Sequence, residues 1–529
     1  MLGSVGQWLV AALAVAPALI TAAPVKATDV TVLPFGTKGP YYYGNQKLEA
    51  RSIINVDVER IRRDLGAMLS PGTLIYGPGS MKFDELTLRW RTTAPPKIDI
   101  VIQPAAESDI AKIVRYSNLF GFDFLVVNRG HGFTTSLGKF QGIQIDVKQL
   151  RKISIAADGK TAVMQGGVYA SDMMKYLWDR GYYTVSGSNE CVGLMGPALG
   201  GGHGRLQGEY GLVMDQLVSM NVVLADGREV VVSKNSNADL WWAMRGAGHN
   251  FGIVKSFTIN IYKKANKTWH WRNYYWSIEQ HDRVFAELNK KQDHGNNPAR
   301  MGATYLQINF NPSVNATHPT MWWTASYNGP SSEIDDYFKG FEAIPAIRKE
   351  RGDAEMPDLM TPQDTGEASC GGGNFAVSTA FLQTYNISTQ RALLDLFMER
   401  AAKYPEISQW ARLYHQGYGV KGTQSVDPAS SSYAHRDEVH LAFFLTAIPP
   451  GTSQALVDAA YKWAKDSWDL WVAGQAPRPM NTYVNYATGA PWETLESVYG
   501  KNLPRLRLLK AKYDPMNKFR FYVPINPPK

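Results

Sequence analysis

The chain has 529 residues, which is long enough for two to four ordinary domains or for one large two-lobed enzyme. Hydrophobic residues make up 44% of the chain and charged residues 19%, a globular composition that excludes an intrinsically disordered protein. The formal net charge of +8 is spread along the chain without a run of Lys or Arg, so it argues against nucleic-acid binding and indicates only a mild preference for anionic partners.

The first residues have the layout of a secretory signal peptide. Met1–Trp8 contains no acidic residue, Leu9–Ile20 is apolar, and the small residues Thr21–Ala23 follow. The apolar run is too short to cross a bilayer as a helix, and no later stretch has the length and apolarity to do so. We therefore predict a signal peptide over residues 1–23, cleaved within Ala22–Ala27, and a secreted protein without a membrane anchor.

Three N-glycosylation sequons agree with a secreted chain. They begin at Asn266, Asn315 and Asn386. Such triplets also occur by chance, so each asparagine is a candidate attachment site.

Predicted strands and helices alternate from Ile98 to Asn260, which is typical of a mixed α+β unit. Ser108 and Ser171 are the expected N-caps of its two helices. Asp226-Gly227 lies between two strand patterns and predicts a hairpin. The strands are Ile98–Gln103, Phe124–Val127, Gln144–Val147, Ala162–Gly166, Val218–Leu224, Glu229–Val232 and Phe251–Asn260, and the helices are Asp109–Leu119 and Asp172–Arg180.

The pattern changes near Asn266, where a second unit begins. Aromatic residues alternate with polar ones, which predicts an antiparallel sheet with helices behind it. Ser277 is expected to open a helix, with Gln280 in the capping-box position. The strands are Trp269–Trp276, Thr304–Phe310, Met321–Tyr327, Ala376–Gln383 and Glu438–Ile448, and two further helices are Thr389–Ala402 and Ser453–Trp468.

Two glycine-rich stretches are the most unusual part of the chain. Gly200, Gly201 and Gly202 are consecutive, and Gly204 follows after one His. Glycine is used where a backbone takes positive φ or approaches another group closely, so this run predicts a loop against a flat or anionic ligand. A flexible surface loop is the alternative. The second stretch, Val127–Gly132 (VNRGHG), follows a predicted buried strand and exposes His131 between two glycines.

The cysteine count leaves two possibilities and argues against a metal centre. Cys191 and Cys370 can form one disulfide or remain two buried thiols. Two cysteines cannot complete a zinc site alone, and no His or carboxylate pattern supplements them. We expect no bound metal.

Two common enzyme motifs fail their context tests. Gly246–Gly252 resembles a dinucleotide fingerprint, but its last spacing is one residue too long and no strand-to-helix turn surrounds it. No G-x-S-x-G sequence precedes a helix, which excludes an α/β-hydrolase.

The order and spacing of several separated motifs resemble the FAD-linked oxidases of the vanillyl-alcohol oxidase and p-cresol methylhydroxylase (PCMH) superfamily, in particular the berberine-bridge-enzyme-like branch. The resemblance covers roughly residues 90–527. The motifs are Asn128–Gly132, Gly187–Gly204 with its LGGGHG, Gly211 and Asp215, Gly248–Val254, Tyr433–Arg436, Tyr483–Tyr486, Tyr499–Asn502, Arg505-Leu506, Leu509-Lys510 and Tyr513–Pro515.

The fold class that this resemblance implies is α+β, a two-lobed PCMH-type FAD-binding fold. Residues 45–265 would form the FAD lobe, and residues 266–481 a substrate lobe whose antiparallel sheet is backed by helices. Residues 482–529 would be a berberine-bridge-like C-terminal segment that returns to the FAD lobe.

The resemblance implies roles for individual residues around the flavin. His131 occupies the position of the histidine that bonds covalently to the flavin, although the motif here has Arg129-Gly130 where two glycines are usual. Many members have a second link through a cysteine, and that position here is Asn189, so a single histidyl link is expected. The complete set of expected FAD-binding residues is Val127, Asn128, Arg129, Gly130, His131, Gly132, Asn189, Val192, Gly193, Gly200, Gly201, Gly202, Gly204, Gly252, Ile253, Val254 and Asn485.

The resemblance also makes Tyr483 the expected general base, because the first Tyr of Y-x-N faces the flavin in such enzymes. A phenol titrates near ~10 in water, so it acts near neutral pH only where positive charge or hydrogen-bond donors stabilise the phenolate. A core tyrosine with a satisfied hydroxyl is the structural alternative. Tyr385, Tyr433 and His435 are weaker candidates for substrate contact.

The function implied is a secreted oxidase that moves a hydride from a small organic substrate to FAD and reduces O2 to H2O2. The small side chain of Val192 would leave space for O2. A dehydrogenase with another acceptor and a flavin-bound binding protein with little turnover are the alternatives, since fold does not determine function. We expect a monomer whose partners are its substrate and O2, with no nucleic acid and no membrane.

Overall fold

The computed structural model describes residues 57–366 and 370–528. The predicted signal peptide and the first residues of the predicted FAD lobe lie outside this part of the chain. Within it, no helix combines the length and apolarity needed to cross a membrane.

Strands of the described residues are numbered here in chain order. They are β1 Leu74–Tyr76, β2 Lys97–Gln103, β3 Asp123–Val127, β4 Gln141–Asp146, β5 Ile153–Ile155, β6 Thr161–Gln165, β7 Tyr182–Tyr183, β8 Leu217–Val223, β9 Glu229–Ser233, β10 Ile253–Asn260, β11 Tyr262–Lys263, β12 Trp269–Ser277, β13 Thr304–Phe310, β14 Pro319–Tyr327, β15 Arg348–Ala354, β16 Phe375–Leu382, β17 Arg412–Gly417 and β18 His440–Ala447.

Helices of the described residues are numbered in the same way. They are α1 Val58–Asp64, α2 Met81–Thr87, α3 Glu107–Leu119, α4 Ala170–Trp178, α5 Met195–Leu199, α6 Gln207–Tyr210, α7 Ala238–Ala247, α8 His281–Gln292, α9 Asp335–Glu342, α10 Ile387–Lys403, α11 Pro405–Ser408, α12 Lys421–Gln424, α13 Gln454–Gln475, α14 Leu495–Tyr499 and α15 Leu503–Tyr513.

The first lobe contains two sheets. One has the strand order β1-β2-β4-β3, in which β2, β4 and β3 are parallel and α3 connects β2 to β3. The other is antiparallel with the order β5-β6-β10-β8-β9. Their apolar strands are buried between helices, which confirms the mixed α+β class predicted for this region.

The second lobe is a seven-stranded antiparallel sheet with the order β15-β12-β14-β13-β17-β18-β16. Alternate residues of each strand point to opposite faces. On β17, Tyr414 and Gln416 line an internal cavity, whereas Leu413 packs in the aromatic core with Trp463 and Trp471 of α13. This sheet backed by helices agrees with the expected substrate lobe.

The C-terminal segment packs on the first lobe through buried polar contacts. Lys510 Nζ donates a hydrogen bond to the carbonyl oxygen of Asn250 at 2.8 Å, and Tyr513 Oη donates to Asp239 at 2.7 Å. The backbone N–H of Ile525 donates to Asn250 Oδ1 at 2.9 Å. These bonds hold the segment that carries Tyr483 against the first lobe.

Three predicted helix starts are wrong. α3 begins at Glu107 after Ala106, and α4 begins at Ala170 after Tyr169, so Ser108 and Ser171 lie inside their helices. Ser277 makes no side-chain cap, because a 3-10 turn precedes α8.

Two strands of the seven-stranded sheet were missed by the sequence patterns. β15 is rich in charged residues and lies at the edge of the sheet, where half of its side chains meet solvent. β17 is buried on both faces but contains Arg412, His415 and Gln416, so it lacks the apolar run of a buried strand.

His440 leads to a prediction about stability in acid. Its ring is fully buried and stacks on Tyr385 at 4.4 Å between centroids, and neither ring nitrogen has a hydrogen-bond partner among the described residues. Burial lowers the pKa of His440 to about 3, below the value near 6.5 of an unfolded chain. Its contribution to stability is therefore complete above pH 6.5 and is lost as the pH falls toward 3, by about 1.4 kcal/mol per pH unit.

Replacing His440 by Phe keeps the ring and removes the titrating group. We expect the free energy of unfolding in urea to depend less steeply on pH between 6.5 and 4 than in the wild type. His318→Gln changes an exposed histidine and should leave the steepness unchanged. An identical pH dependence for His440→Phe and wild type would contradict the prediction.

Candidate active site

A cavity of about 400 Å³ lies where the first lobe, the seven-stranded sheet and the C-terminal segment meet. Its first-lobe wall comes from the loop after β3 and the loop at residues 187–197. The seven-stranded sheet supplies a roof of aromatic rings, and the C-terminal segment supplies Tyr483, Asn485 and Tyr486. The cavity therefore brings together three parts of the chain that are far apart in sequence.

The loop after β3 presents His131 to the cavity. Gly130 takes a φ of +69°, a conformation that L side chains rarely adopt, and this turns the chain at the end of the strand. Val127 to Gly132 all line the cavity. The ring of Trp90 stacks at 6.1 Å from that of His131.

The imidazole of His131 is held in its neutral form. Burial lowers its pKa to about 3, and the positive charge of Arg129 acts in the same direction. A neutral imidazole carries a nitrogen lone pair at every pH at which the protein would work.

The loop at residues 187–193 forms the neighbouring wall. Asn189, Val192 and Gly193 line the cavity, whereas Cys191 is fully buried behind it. Cys191 forms a disulfide with Cys370, with the two Cα atoms 5.6 Å apart, which resolves the choice that the sequence left open. Asn189 Oδ1 accepts a hydrogen bond from the backbone N–H of Cys191 at 2.9 Å.

The run Gly200–Gly202 and Gly204 do not line the cavity; these glycines pack directly behind its wall. Gly201 and Gly202 take φ values of +113° and +84°, and the N–H of Gly202 donates to Tyr483 Oη at 3.0 Å. Gly202 thus helps to position Tyr483. The expected place of this run near the isoalloxazine stays a prediction. Ile253 and Val254 are likewise buried within β10, and Gly252 alone of that group reaches the cavity.

Tyr483 is buried in a cluster of hydrogen-bond donors. Its Oη accepts from Gly202 N–H and from Asn485 Nδ2 at 2.7 Å, and the ring of His203 lies edge-on at 4.8 Å. Burial raises the pKa of Tyr483 to about 12, whereas Asn485 and the backbone N–H groups of Gly202 and His203 oppose that rise. The hydroxyl is therefore protonated at neutral pH, but donors that would stabilise the phenolate surround it.

The aromatic roof comes from alternate residues of neighbouring strands. Tyr305 of β13, Tyr414 of β17 and Phe443 of β18 form a continuous stack, with centroids 5.8 Å and 4.6 Å apart. Gln416 accepts from Tyr418 Oη at 2.9 Å and donates to Tyr486 Oη at 3.2 Å. None of these residues was predicted, because the register that places them side by side is not encoded in local patterns.

The weaker substrate candidates do not reach the cavity, which corrects those expectations. Tyr385 packs on the helix side of the sheet against His440. His435 Nε2 bonds to the carbonyl oxygen of Val498 at 2.8 Å. Tyr433 lies behind the wall, with its hydroxyl 3.2 Å from Nε2 of His203, which itself lines the cavity.

The three predicted sequons lie on the surface of the second lobe. Asn386 is exposed and caps α10, where its Oδ1 accepts from the N–H of Thr389. Asn266 and Asn315 are half-buried. Access to each amide is therefore compatible with glycosylation, which remains a prediction.

Comparison with known proteins identifies the family. A family described as FAD binding domain matches residues 98–233, and one described as berberine and berberine like matches residues 482–526. FAD-linked oxidoreductase iacH of Pestalotiopsis fici is 45% identical over 510 residues, which cover 95% of this chain and 98% of the relative. This chain is a berberine-bridge-enzyme-like FAD-linked oxidoreductase. A second such oxidoreductase, anuG of Penicillium roqueforti, is 39% identical over 90% of this chain and 94% of its own.

Solved structures of lower identity share the fold of this FAD-linked oxidoreductase. The xylooligosaccharide oxidase of Myceliophthora thermophila C1 superposes with a TM-score of 0.75 at 21% identity, over 90% of this chain and 100% of its own. A glucooligosaccharide oxidase of Acremonium strictum, described with a 6-S-cysteinyl, 8α-N1-histidyl FAD, gives a TM-score of 0.73 at 21% identity over 88% and 99%.

The cavity of the oxidoreductase fits FAD. Gly187 and Gly196 both line it, and no other atom lies within 4 Å of the position that a Cβ would take on either residue. Their bare backbone leaves room for a flat ring system. Arg89 and Arg129 also line the cavity and supply positive charge for an anionic diphosphate.

The disulfide leads to a prediction that distinguishes a structural role of Cys191 from a covalent link between Cys191 and the flavin. The Cys191–Cys370 bond closes a loop with a sequence separation of 179, so its loss should lower the free energy of unfolding by about 2–5 kcal/mol. We expect Cys191→Ser to show this loss in urea unfolding while its flavin remains in the acid-precipitated protein. Cys370→Ser is the matched control and should behave identically. Flavin lost from Cys191→Ser but kept by Cys370→Ser would reveal a cysteinyl link.

Proposed function

We propose that the protein is a secreted oxidase that takes a hydride from an alcohol, a sugar or a secondary metabolite and passes the electrons to O2, which yields H2O2. The observation that carries the proposal is a cavity that joins the loops around His131 and Asn189 to Tyr483 and an aromatic roof. FAD bound there supplies the redox chemistry, namely hydride acceptance from carbon and electron transfer to an acceptor.

The first-lobe loops are proposed to hold the cofactor. Backbone N–H groups of residues 127–132 would bind the diphosphate, and Arg129 would add a positive charge. The neutral imidazole of His131 would form the covalent link, which needs a nitrogen lone pair. Because the sulfur of Cys191 is bonded to Cys370, His131 would provide the only link.

The C-terminal segment is proposed to hold the proton acceptor. Tyr483 would take the proton from the substrate as its C–H bond breaks, with Gly202 and Asn485 stabilising the negative charge on Oη. Tyr486 is a second candidate, because its hydroxyl also lines the cavity and bonds to Gln416. Burial raises the pKa of Tyr486 above the ordinary value of a phenol.

The choice of O2 as acceptor is supported by Val192. Its small side chain lines the cavity and leaves space for a diatomic molecule. We expect the purified protein to release H2O2 with at least one member of a panel of alcohols, sugars and phenols. Flavin reduction by a substrate that yields no peroxide in air, but reduces a quinone or a dye, would instead assign a dehydrogenase.

A further inference from the structure

Asp364 stands out among the residues that line the cavity and that the proposed chemistry does not use. It is 7% exposed, and its Oδ1 has no hydrogen-bond partner among the described residues. An acceptor buried without a partner is costly, so a native structure keeps one only where something else satisfies it. Asp364 also takes a φ of +56°, in the left-handed region that Gly, Asn and Asp adopt more readily than other residues.

Arg412 is the charged neighbour of this carboxyl group. It is 1% exposed on β17, and its Nε and Nη1 have no hydrogen-bond partners in the part of the chain that the structure describes. Burial raises the pKa of Asp364 to about 7, and the charge of Arg412 opposes this rise. A cationic ligand group beside Asp364 would be repelled by Arg412, which favours a neutral donor.

Two other polar side chains of the cavity are already hydrogen-bonded within the protein. Gln416 is shared between Tyr418 and Tyr486, and Thr365 Oγ1 accepts from Arg205 at 2.8 Å. What the roof offers a ligand is therefore the ring stack of Tyr305, Tyr414 and Phe443, with the open acceptor of Asp364 in the same cavity.

We propose that Asp364 is the polar anchor of the substrate site and accepts a hydrogen bond from a neutral hydroxyl group on a ring compound that is otherwise apolar. The rings of such a substrate would pack on Tyr305, Tyr414 and Phe443. The hydroxyl satisfies the buried oxygen that the protein itself leaves without a partner. This inference rests on the proposed function only in taking the cavity as the substrate site.

The test uses two ring compounds that differ in one hydrogen-bond donor. 2-Naphthol carries a hydroxyl, and 2-methoxynaphthalene has an ether oxygen at the same place. Each is titrated into the oxidised protein, and binding is followed by the change in flavin absorption. We expect wild type to bind the naphthol at least ~10-fold more tightly, as one hydrogen bond to a buried charged group implies.

Asp364→Gly removes the carboxyl and tolerates the positive φ, so the ratio of the two affinities should fall to about 1. Thr365→Val is the matched control, since it removes a neighbouring hydroxyl from the same wall and should keep the preference. General damage to the site would lower the affinity for both compounds equally and leave the ratio of the two affinities unchanged. Three results would each overturn the proposal. They are a preference for the naphthol that survives in Asp364→Gly, equal affinities of the two compounds for wild type, and no binding of either compound.

A second variant covers failure of the glycine variant to fold. Asp364→Asn tolerates the same backbone conformation and keeps one acceptor oxygen, but it loses the charge. In wild type, the preference for the naphthol should rise between pH 5.5 and 8 as Asp364 ionises. In Asp364→Asn, the preference should not change with pH. A rise of equal size in both proteins would overturn the proposal. The titrations need no turnover, so absence of peroxide with every substrate would refute the oxidase function and leave this inference standing.

Discussion

Flavin reduction by substrate should be at least ~10²-fold slower in Tyr483→Phe than in wild type, because a general base typically contributes ~10²–10⁴-fold. The variant keeps the ring that packs beside His203 and removes only the hydroxyl bound by Gly202 and Asn485. Flavin content and folding should therefore survive. The measurement is anaerobic stopped-flow reduction with a substrate from the peroxide panel. Reoxidation by O2 should change far less, since that half-reaction takes no proton from substrate.

The pH dependence of the same rate supplies a second signature. Because the pKa of Tyr483 is raised to about 12, the phenolate fraction should rise about tenfold per pH unit across the neutral range. The reduction rate of wild type should rise with pH accordingly, and that of Tyr483→Phe should lose this dependence.

Tyr486→Phe is the matched control for the assignment of the base. It removes a second hydroxyl of the C-terminal segment, which lies at the cavity and bonds to Gln416. We expect a smaller effect on the reduction rate than in Tyr483→Phe. If Tyr483→Phe reduces its flavin at the wild-type rate and Tyr486→Phe reduces it slowly, the base is Tyr486 and not Tyr483.

His131→Ala should move the flavin from the acid-precipitated protein to the supernatant. In wild type we expect nearly all of the yellow colour in the pellet, because the neutral imidazole is proposed to hold the cofactor covalently. The variant keeps the loop conformation set by Gly130 and should still bind FAD without a covalent bond. The readout is flavin absorbance in both fractions.

His249 offers a control for that experiment within the same cavity. Its Nε2 bonds to the carbonyl oxygen of Gly196, and its ring packs on Tyr522 at 4.4 Å. His249→Asn should leave the flavin in the pellet. If the flavin leaves the wild-type protein as readily as it leaves His131→Ala, the covalent link is disproved.

Elements with strong local patterns could be predicted from the sequence. β3 is a short apolar run followed by Val127–Gly132, and both the strand and the loop that carries His131 follow from residue types alone. The hairpin at Asp226-Gly227 and the strand β13 were also predicted correctly. In the strands and the hairpin, local propensity and the tertiary structure agree.

The roof and the anchor could not be predicted, because they depend on contacts between distant residues. Tyr414 and Gln416 lie on β17, whose polar residues conceal a strand, and Gln416 meets Tyr486 70 positions later. Asp364 lies in a loop that carries no motif. The contact between Gly202 and Tyr483 could not be predicted for the same reason, since the two residues are 281 positions apart.

The central claim is that this oxidoreductase holds FAD covalently through His131 alone. Peptide mass spectrometry of the acid-precipitated wild-type protein, digested without reduction, tests it most directly. We predict that the peptide containing His131 carries the mass of the flavin and that the peptide containing Cys191 is joined to the one containing Cys370. An unmodified His131 peptide, or flavin on Cys191, would contradict the account.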